Sequence, residues 1–377
     1  MKKRPLIIIG TNHHNTLSMV RCFGECGIHP ELIIYGCQDS YILSSKYISR
    51  YHVAVAAQDA IKHLTEQYGT EDEKAVVIPC SDEIVHLLNK NYTRFKERFH
   101  FFNCGADGLV TTFMDKNTQV KYAKAVGISV PSSIDGYARE INPEKVNCPC
   151  IIKPLESING GKMIVVCNNK KELTNALGTF DENIKLLIQD FIKREYEIVL
   201  LGVALGNEVY IPGYIHKHRD ILGGTTYSTV MPIDDIAPTV VTLCAKLCKS
   251  FNYEGLFGIE MIKSGNEFYF IEMNLRNDAT TYALATAGVN LPIAYCKYVS
   301  GDKFENELNY NVRKINAMVE FNDIIHFIKR KISFKQWNME LKGCECKYFY
   351  NKKDIRPYRK KRKEFMISML KKIIHLI

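Results

Sequence analysis

One predicted hairpin carries most of the information in this chain, and its sequence is LFGIEMIKSGNEFYFIEMNLR, residues 256–276. Two apolar runs of strand length flank Ser264-Gly-Asn266, which is typical of a turn between antiparallel strands. Glu260 and Glu272 stand inside these apolar runs, twelve residues apart. Because burying two carboxylates is costly unless a cation pairs with them, the hairpin predicts a charged site within an apolar setting.

The second strand of this hairpin predicts a divalent-cation site. Side chains alternate along a strand, so Glu272 and Asn274 share one face and Arg276 lies just beyond it. If Glu260 faces the same way, two carboxylates and an amide oxygen converge, and such hard donors suit Mg²⁺, with Mn²⁺ as a substitute. The alternative is an exposed hairpin with ordinary surface acids, and the apolar flanks disfavour it.

A lysine and a pair of glycines in the middle of the chain suggest a phosphate-binding loop. Lys153 ends an apolar strand, where its ammonium could reach a phosphate as a point charge. The following Gly160-Gly161 permits a turn whose backbone N–H groups close over phosphates. Taken alone, a Gly-Gly-Lys sequence is usually only a turn, so this signal counts only beside the others.

A third segment, residues 187–192, has the pattern of a strand that ends beside a nucleobase. The backbone groups from Gln189 onward offer N–H and C=O to an adenine edge. A carboxylate a few residues later, at Glu195 or Glu197, can accept ribose hydroxyls. Apolar strands with polar ends are common, so this segment alone is unremarkable.

The composition is that of a globular protein. The 377 residues are 46% hydrophobic and 24% charged, which excludes a disordered chain, a collagen-like fibre and a coiled-coil rod. Since no apolar run reaches the roughly 18–20 residues of a membrane-spanning helix, we expect a cytoplasmic location. Thirteen cysteines without a C-x-x-C spacing indicate reduced thiols in the core; a redox or metal role is the less favoured alternative.

The order of predicted elements indicates two architectures in one chain. In the first hundred residues, strands at 6–9, 31–35 and 75–79 alternate with helices, which predicts a parallel sheet. From about Pro149 the pattern changes to longer β-rich pieces. We therefore expect an α/β N-terminal domain with a parallel sheet, followed by an α+β body with antiparallel sheets. The loop at 10–15, after the first strand, could seat a ligand at a helix N-terminus.

Nearly all of the net charge lies at the C-terminus. Residues 352–377 carry ten lysines and arginines against two acids, so they hold +8 of the formal +9. This excludes a nucleic-acid groove through the body, and no nucleic-acid partner is expected. One face of the tail is apolar, at Met366, Met369, Leu370, Ile373 and Ile377. Two interpretations stay open: residues 359–377 contact an anionic membrane, or this helix docks on its own domain.

Together, and in this order, the segments resemble the ATP-grasp superfamily of ligases, from Ile78-Pro-Cys-Ser-Asp82-Glu to about Pro357. Glu260 with Glu-Met-Asn at 272–274 and Arg276 is closely similar to the ATP site of biotin carboxylases and carbamoyl-phosphate synthetases. The N-terminal domain and the sequence Asp354-Ile-Arg-Pro357 look more like the D-aspartate-ligase-type and capsule-cluster members, which join a carboxylate to an amine.

The resemblance implies a role for each matching residue. Those that would contact the nucleotide are Lys116, Lys153, Gly160, Gly161, Gln189, Asp190, Ile192 and Glu197, with Glu195 the alternative to Glu197. Those that would hold magnesium are Glu260, Glu272 and Asn274. Arg276 would steady the transferring phosphate and acyl group.

The sequence indicates the substrate-binding residues less clearly than the nucleotide-binding ones. Lys217 and Arg219 follow a strand that should face the nucleotide, and they are candidates for binding the carboxylate substrate. An exposed charged hairpin is an equal alternative for either residue. The sequence Asp278-Ala-Thr280 is expected to shape the acceptor pocket.

The resemblance also divides the chain into five parts. They are an α/β pre-ATP-grasp domain at 1–112, a small ATP-grasp subdomain at 113–192, a large subdomain with the metal site at 193–310, a C-terminal extension at 311–357 and the basic amphipathic tail at 358–377.

The implied activity is that of an ATP-dependent, ADP-forming carboxylate–amine ligase that works through an acyl phosphate. Its expected partners are small-molecule substrates in cell-envelope or capsular polysaccharide synthesis and a second copy of the chain. A tail that binds membrane would place it on the inner membrane face. The alternative is a catalytically inactive nucleotide-binding sensor or scaffold at the membrane surface, which the intact acid pair with Asn274 disfavours.

Overall fold

The computed structural model describes residues 4–70, 73–154, 164–221, 223–308 and 311–374, with side chains up to residue 371. The predicted loop glycines, Gly160 and Gly161, lie outside these ranges. Within them, the chain forms three β-sheets flanked by helices.

The first sheet is parallel and has the strand order β3-β2-β1-β4-β5. Its central strand is apolar because both faces are covered: Ile7 and Ile9 pack into one core, and Ile8 packs into another. The strands are β1 (Leu6–Gly10), β2 (Glu31–Tyr35), β3 (Tyr51–Ala54), β4 (Ala75–Pro79) and β5 (Phe99–His100). The helices of this region are α1 (His14–Gly24), α2 (Ala57–Gln67), α3 (Asp82–Lys90), α4 (Tyr92–Phe95), α5 (Leu109–Met114) and α6 (Lys116–Val126).

The second sheet is small and antiparallel, with the order β6-β9-β7-β8. Ile152 and Ile188 of its central strands pack with Leu173 of the covering helix. The elements are β6 (Ser133–Tyr137), β7 (Cys150–Pro154), β8 (Val165–Cys167), α7 (Lys170–Leu177) and β9 (Lys185–Asp190).

The third sheet contains the predicted hairpin at one edge, in the order β14-β13-β10-β11-β12-β15-β16. Its neighbours are antiparallel except for β15 and β16. The strands are β10 (Tyr196–Leu205), β11 (Glu208–Ile221), β12 (Gly224–Pro232), β13 (Gly255–Ser264), β14 (Glu267–Asn274), β15 (Ile315–Met318) and β16 (Cys346–Lys347). The helices are α8 (Pro238–Ser250), α9 (Thr281–Ala287), α10 (Leu291–Val299), α11 (Glu320–Ile328), α12 (Phe334–Lys342) and α13 (Arg356–Ile374).

A buried arginine joins the N-terminal domain to the C-terminal part of the chain. Arg21 on α1 is fully buried, and its Nε lies 3.2 Å from Asp354 Oδ2. The two Nη atoms donate to the carbonyl oxygens of Tyr348 and Phe349, at 2.8 and 3.0 Å. The Asp354-Ile-Arg-Pro357 sequence therefore lies against the first sheet's helix layer.

The tail forms helix α13, and its first half docks on the body. The rings of Tyr358 and Phe365 lie 5.6 and 5.3 Å from that of Phe321 on α11. Further along, Met366 and Leu370 are more than half exposed. Ile377 lies outside the described residues, as does the side chain of Ile373. Docking thus holds for the first half, while membrane contact stays a prediction.

The predicted fold class is confirmed. The parallel first sheet is followed by a body with two sheets that are antiparallel apart from the β15–β16 pair, and β2 and β4 begin and end at the predicted residues. All thirteen cysteines are free thiols. Within the described residues, no helix combines the length and apolar composition that crossing a bilayer requires.

Candidate functional site

The acidic hairpin forms as predicted, and its two glutamates stand side by side. Glu260 on β13 pairs directly with Glu272 on β14, and Gly258 pairs with Asn274. Both glutamate side chains are partly buried. Like charges directly opposite each other destabilise a sheet, so this pair requires cations nearby.

One such cation is Lys217 of β11, which reaches Glu260 across strand β10. Its Nζ lies 2.6 Å from Glu260 Oε2 and 3.4 Å from Glu197 Oε2. Burial lowers the pKa of the Lys217 ammonium, but the two carboxylates outweigh burial and the net pKa is raised. Glu197 is directly opposite Lys217 in the sheet and also pairs with Arg194 at 2.7 Å.

A second cation, Lys116, approaches the other glutamate from helix α6. Its Nζ lies 2.6 Å from Glu272 Oε2. The helix is fixed to the hairpin because the Gln119 amide donates to the carbonyl of Met273 at 2.8 Å and accepts from its N–H at 2.9 Å. Lys116, in the first turn of α6, is thereby held over the carboxylates.

Lys153 lies near this pair. Burial lowers the pKa of the Lys153 ammonium, the charge of Lys116 lowers it further, and Glu272 opposes both effects. Two lysines beside one carboxylate repel each other, so the arrangement favours an additional bound anion between them.

The surroundings of Glu260 raise the pKa of its carboxyl group. Burial raises the pKa of its carboxyl group, Lys217 opposes this effect, and Asp278 and Glu272 add to it. Asp278 comes close because Gly258 has no side chain: a Cβ there would stand 3.1–3.2 Å from the Asp278 carboxyl region. Glu260 therefore has two further carboxylates near it, Glu272 and Asp278, while Lys217 is the cation in contact with it among the described residues.

Arg276 connects the hairpin to the N-terminal domain. Its Nε lies 2.8 Å from Asp82 Oδ1 at the start of α3, and an Nη lies 3.4 Å from Asn274 Oδ1. The side-chain amide of the next residue, Asn277, donates to Asn15 Oδ1, so the loop after β1 lies beside the end of the hairpin. The first strand's loop, the hairpin and α3 thus meet at one place.

Arg219, predicted to bind the carboxylate substrate, is paired with acidic side chains, and its substrate role stays a prediction. The pairing of β11 with β12 shifts between Lys217 and Arg219. This irregularity breaks the alternation of side chains, so Arg219 does not lie on the same face as Lys217. Its guanidinium lies 2.7 Å from Asp323 and 2.7 Å from Glu340 and is mostly buried. Arg219 therefore holds helices α11 and α12 to the sheet.

The adenine segment lies at the end of the small sheet. Gln189 pairs with residues on both neighbouring strands, and the N–H of Asp190 donates to the Ser132 carbonyl at 2.9 Å. Ile192 follows β9 in the connection to β10. Among the described residues, no side-chain hydrogen bond or ion pair joins this segment to Glu260 or Glu272.

The two ribose candidates have different surroundings. Glu195 accepts a 2.8 Å hydrogen bond from the Gly265 N–H at the hairpin turn. Glu197 lies in the cluster with Lys217, so it is the better placed of the two.

Sequence reasoning gave no role to Asp82 and Gln119, and it left the contacts of Asp278 open. Asp82 follows Ser81 at a helix N-terminus after a buried strand, where an acid is expected for capping alone. Gln119 is a buried polar residue on a helix that otherwise looks amphipathic. Neither has a local pattern that signals a long-range contact.

The residues present fit a divalent cation bound with phosphates. Glu260, Glu272 and Asn274 offer carboxylate and amide oxygens on one face, and the Asp278 carboxylate adds negative charge beside Glu260. In the described ranges, no group of three or more His, Cys, Asp or Glu residues has metal-binding geometry by itself. A set of two carboxylates completed by phosphate oxygens is how Mg²⁺ is commonly held.

Comparisons with known proteins agree with this geometry. Residues 119–289 match the family described as the ATP-grasp domain. The chain is 25% identical over 199 residues to the carbamoyl phosphate synthase large chain of Pseudothermotoga lettingae, covering 49% of this chain and 18% of that protein. It is 26% identical over 240 residues to the formate-dependent phosphoribosylglycinamide formyltransferase of a Sulfurovum species, covering 60% and 58%. The chain thus spans less than two thirds of either relative.

Solved structures share the fold over most of the chain. N5-carboxyaminoimidazole synthetase from Staphylococcus aureus has a TM-score of 0.68 at 14% identity and covers 89% of this chain and 87% of its own. The L-amino acid ligase from Bacillus licheniformis has a TM-score of 0.62 at 12% identity, covering 84% and 80%. The biotin carboxylase domain of Hydrogenobacter thermophilus 2-oxoglutarate carboxylase, in complex with MgADP and bicarbonate, has a TM-score of 0.61 at 16% identity, covering 82% and 73%. Residues 119–289 are therefore an ATP-grasp domain, within a chain that has the ATP-grasp fold.

Proposed function

We propose that this protein is an ATP-dependent, ADP-forming ligase that joins a carboxylate to an amine. The observation that carries the proposal is the pair Glu260–Glu272, held between Lys116 and Lys217 on two different elements. A site that had lost catalysis could tolerate losing these acids, and both are present. The similarity to ligases and carboxylases of the ATP-grasp fold supports the same reaction class.

In the first step, a carboxylate oxygen of the substrate attacks the γ-phosphorus of ATP. The bond between that phosphorus and the β,γ-bridging oxygen breaks, and ADP leaves with the bond electrons. This reaction requires alignment and neutralisation of charge more than covalent help from the protein. Lys116 and Lys153 are the groups that we assign to the phosphates, because they lie together beside Glu272.

Glu260, Glu272 and Asn274 are the residues that would hold Mg²⁺, which would supply positive charge to the triphosphate oxygens. Glu197 would bind the ribose, with Gln189, Asp190 and Ile192 beside the adenine. Lys217 already neutralises part of Glu260 and Glu197, so we assign it a positioning role for these carboxylates. This assignment replaces the substrate-binding role expected from the sequence.

In the second step, the amine nitrogen attacks the carbonyl carbon of the acyl phosphate. The carbon–oxygen bond to the phosphate breaks, inorganic phosphate leaves, and the nitrogen loses a proton. Arg276 is the cation that we assign to the acyl phosphate, since it lies where the hairpin meets Asp82 and the loop after β1. The acceptor would enter between that loop and Arg276.

We further propose that the acceptor belongs to the cell envelope, and that residues 359–377 contact an anionic membrane from the inner side. The support is the helix α13, in which Met366, Ile367 and Leu370 are exposed among lysines and arginines. A homodimer, expected from the resemblance, remains a prediction.

ADP release in the presence of amino acids and amino sugars, supplied singly and in pairs, tests the ligase proposal. We expect turnover only when both a carboxylate and an amine are present. Glu272→Gln should lower the rate by about a hundredfold or more, since removing one electrostatic stabiliser of a transition state commonly costs that much.

Glu267→Gln is the matched control, because Glu267 lies on the same strand and, among the described residues, its side chain accepts a hydrogen bond from Ser129 alone, at the surface. It should keep full turnover. ADP release that ignores added substrates, or an unchanged rate in Glu272→Gln, would contradict the proposal. Nucleotide binding without any turnover would favour the sensor or scaffold instead.

A further inference from the structure

A cavity of about 520 Å³ opens between helices α11, α12 and α13. Its volume falls within the range of small-molecule pockets, about 300–1,000 Å³. None of the residues that we assign to the nucleotide, to magnesium or to the acyl phosphate lines it. The cavity is therefore separate from the ligase site.

The walls of this cavity are predominantly apolar. Each of the three helices contributes two hydrophobic side chains, and these are Phe321, Ile324, Trp337, Leu341, Phe365 and Met366. Aromatic rings pack against each other in this wall, since the ring centroids of Phe321 and Phe365 lie 5.3 Å apart. Such a lining favours a hydrocarbon group and disfavours a nucleotide or a sugar.

The rim of the cavity is positively charged. Lys342, Lys347 and Arg362 line it, and none of the three has a carboxylate within 4.0 Å among the described side chains. One carboxylate, Glu320, also lines the cavity, but it accepts hydrogen bonds from the Phe349 and Tyr350 N–H groups at 3.0 and 2.7 Å. The rim can therefore receive an anion such as a phosphate.

The apolar wall continues onto the exposed part of α13. Met366 belongs to the cavity, and Ile367 and Leu370 follow it on the same helix at 44% and 58% exposure. An elongated ligand could thus pass from the cavity along an apolar path that basic residues flank. The continuous apolar surface therefore favours an elongated ligand over a compact one.

We propose that this cavity binds the hydrocarbon chain of an anionic lipid, with the lipid's phosphate at Lys342, Lys347 and Arg362. The proposal does not depend on the ligase activity. The lipid can come from a bilayer or as a free lipid phosphate, and the two sources share the same chemistry.

The chain has a single tryptophan, and it lines this cavity, so its fluorescence reports occupancy directly. We expect dodecyl phosphate, below its micellar concentration, to change Trp337 emission in a saturable way. Dodecyl maltoside lacks the phosphate and inorganic phosphate lacks the hydrocarbon chain, so each should have little effect on Trp337 emission. Phosphatidylcholine vesicles that contain phosphatidylglycerol with brominated chains should quench Trp337 fluorescence if the lipid comes from a bilayer. If the lipid is instead a free lipid phosphate, only dodecyl phosphate should change the emission.

Two variants separate specific occupancy from surface adsorption. Ile324→Phe should fill the cavity and abolish the dodecyl phosphate response. Arg362→Gln should weaken apparent binding about fivefold, as expected for one basic residue near an anionic headgroup. Arg356→Gln is the matched control, because Arg356 is exposed at the start of the same helix, does not line the cavity and precedes residues 359–377.

Equal binding by Arg362→Gln and the unchanged protein, together with a retained response in Ile324→Phe, would overturn the proposal. So would an emission change that depends on protein concentration and accompanies dimer formation in sedimentation, because a second copy would then be the occupant. Arg362 is a surface residue, so its variant tests the proposal even if Ile324→Phe folds poorly.

Discussion

The Arg21–Asp354 pair and the Lys217–Glu260 pair are both buried ion pairs, yet their surroundings differ. Asp354 accepts from the Arg21 guanidinium, from the Ser45 hydroxyl at 2.9 Å and from the Lys46 N–H at 3.1 Å. The remaining donors of Arg21 reach backbone carbonyls at 2.8–3.1 Å. Every charge in this pair is thus matched by nearby hydrogen-bond partners.

The Lys217–Glu260 pair is not balanced in this way. Lys217 is shared by Glu260 and Glu197, while Glu272 and Asp278 add negative charge around Glu260 and help to raise its pKa. A fully matched ion pair fixes a structure, whereas neighbouring carboxylates that share one lysine keep oxygens free for a cation that is not part of the chain. The comparison therefore separates a structural pair from a binding site without reference to any relative.

The largest expected effect follows from removing the matched carboxylate. Asp354→Ala leaves the Arg21 guanidinium buried without its counter-charge, and we expect the free energy of unfolding to fall by about 3–5 kcal/mol. Equilibrium urea unfolding, followed by circular dichroism, measures this loss.

The control for this variant is Glu66→Ala. Glu66 lies 4.0 Å from Lys62 at an exposed position of α2, where an ion pair contributes about 0.5 kcal/mol or less. A loss in Asp354→Ala as small as that in Glu66→Ala would show that the buried pair is not what joins the two ends of the chain.

An intermediate effect concerns pH at the unbalanced pair. Because the pKa of Glu260 is raised, its carboxyl group takes up a proton at a higher pH than an ordinary glutamate, and a metal must then displace that proton. We expect the affinity for MgADP to fall up to tenfold per pH unit below the raised pKa. Isothermal titration calorimetry across mildly acidic to neutral pH measures this slope.

The same titration on Glu260→Gln is the control, since it retains the titration of the nucleotide itself. Its affinity should be lower throughout, with a shallower dependence on pH. Identical slopes in the two proteins would remove Glu260 from the metal site.

Much of the fold follows from local sequence patterns. The apolar runs of β2 and β4 and the glycine-containing turn of the hairpin predict those elements at nearly their observed bounds. Strand β6 was not predicted because none of its residues is buried, so Ser133–Tyr137 shows neither an apolar run nor alternation. Edge strands of this kind are specified by pairing with a distant strand, here β9.

The site was predictable where its residues share one hairpin, and less so where strands meet from far apart in the chain. Glu260, Glu272 and Asn274 follow from alternation in adjacent strands. The contact of Lys217 with Glu260 depends on β10 lying between β11 and β13, an order that no local pattern encodes. The bulge that redirects Arg219 to Asp323 is likewise a property of the assembled sheet.

The smallest expected effect is on stability at the unbalanced pair. The folded-state pKa of Glu260 lies above its unfolded value, so the stability that its protonated form contributes is lost as pH rises through the folded pKa. At neutral pH, Glu260→Gln removes an ionised carboxylate that burial disfavours. It also removes the 2.6 Å contact with Lys217, but Lys217 keeps Glu197 as a partner. We expect these effects to offset within about 1 kcal/mol in urea unfolding. A loss of stability as large as that of Asp354→Ala would instead identify Lys217–Glu260 as a structural pair. Removing one member of a matched pair leaves the other charge buried without a second partner, and only then is such a loss expected.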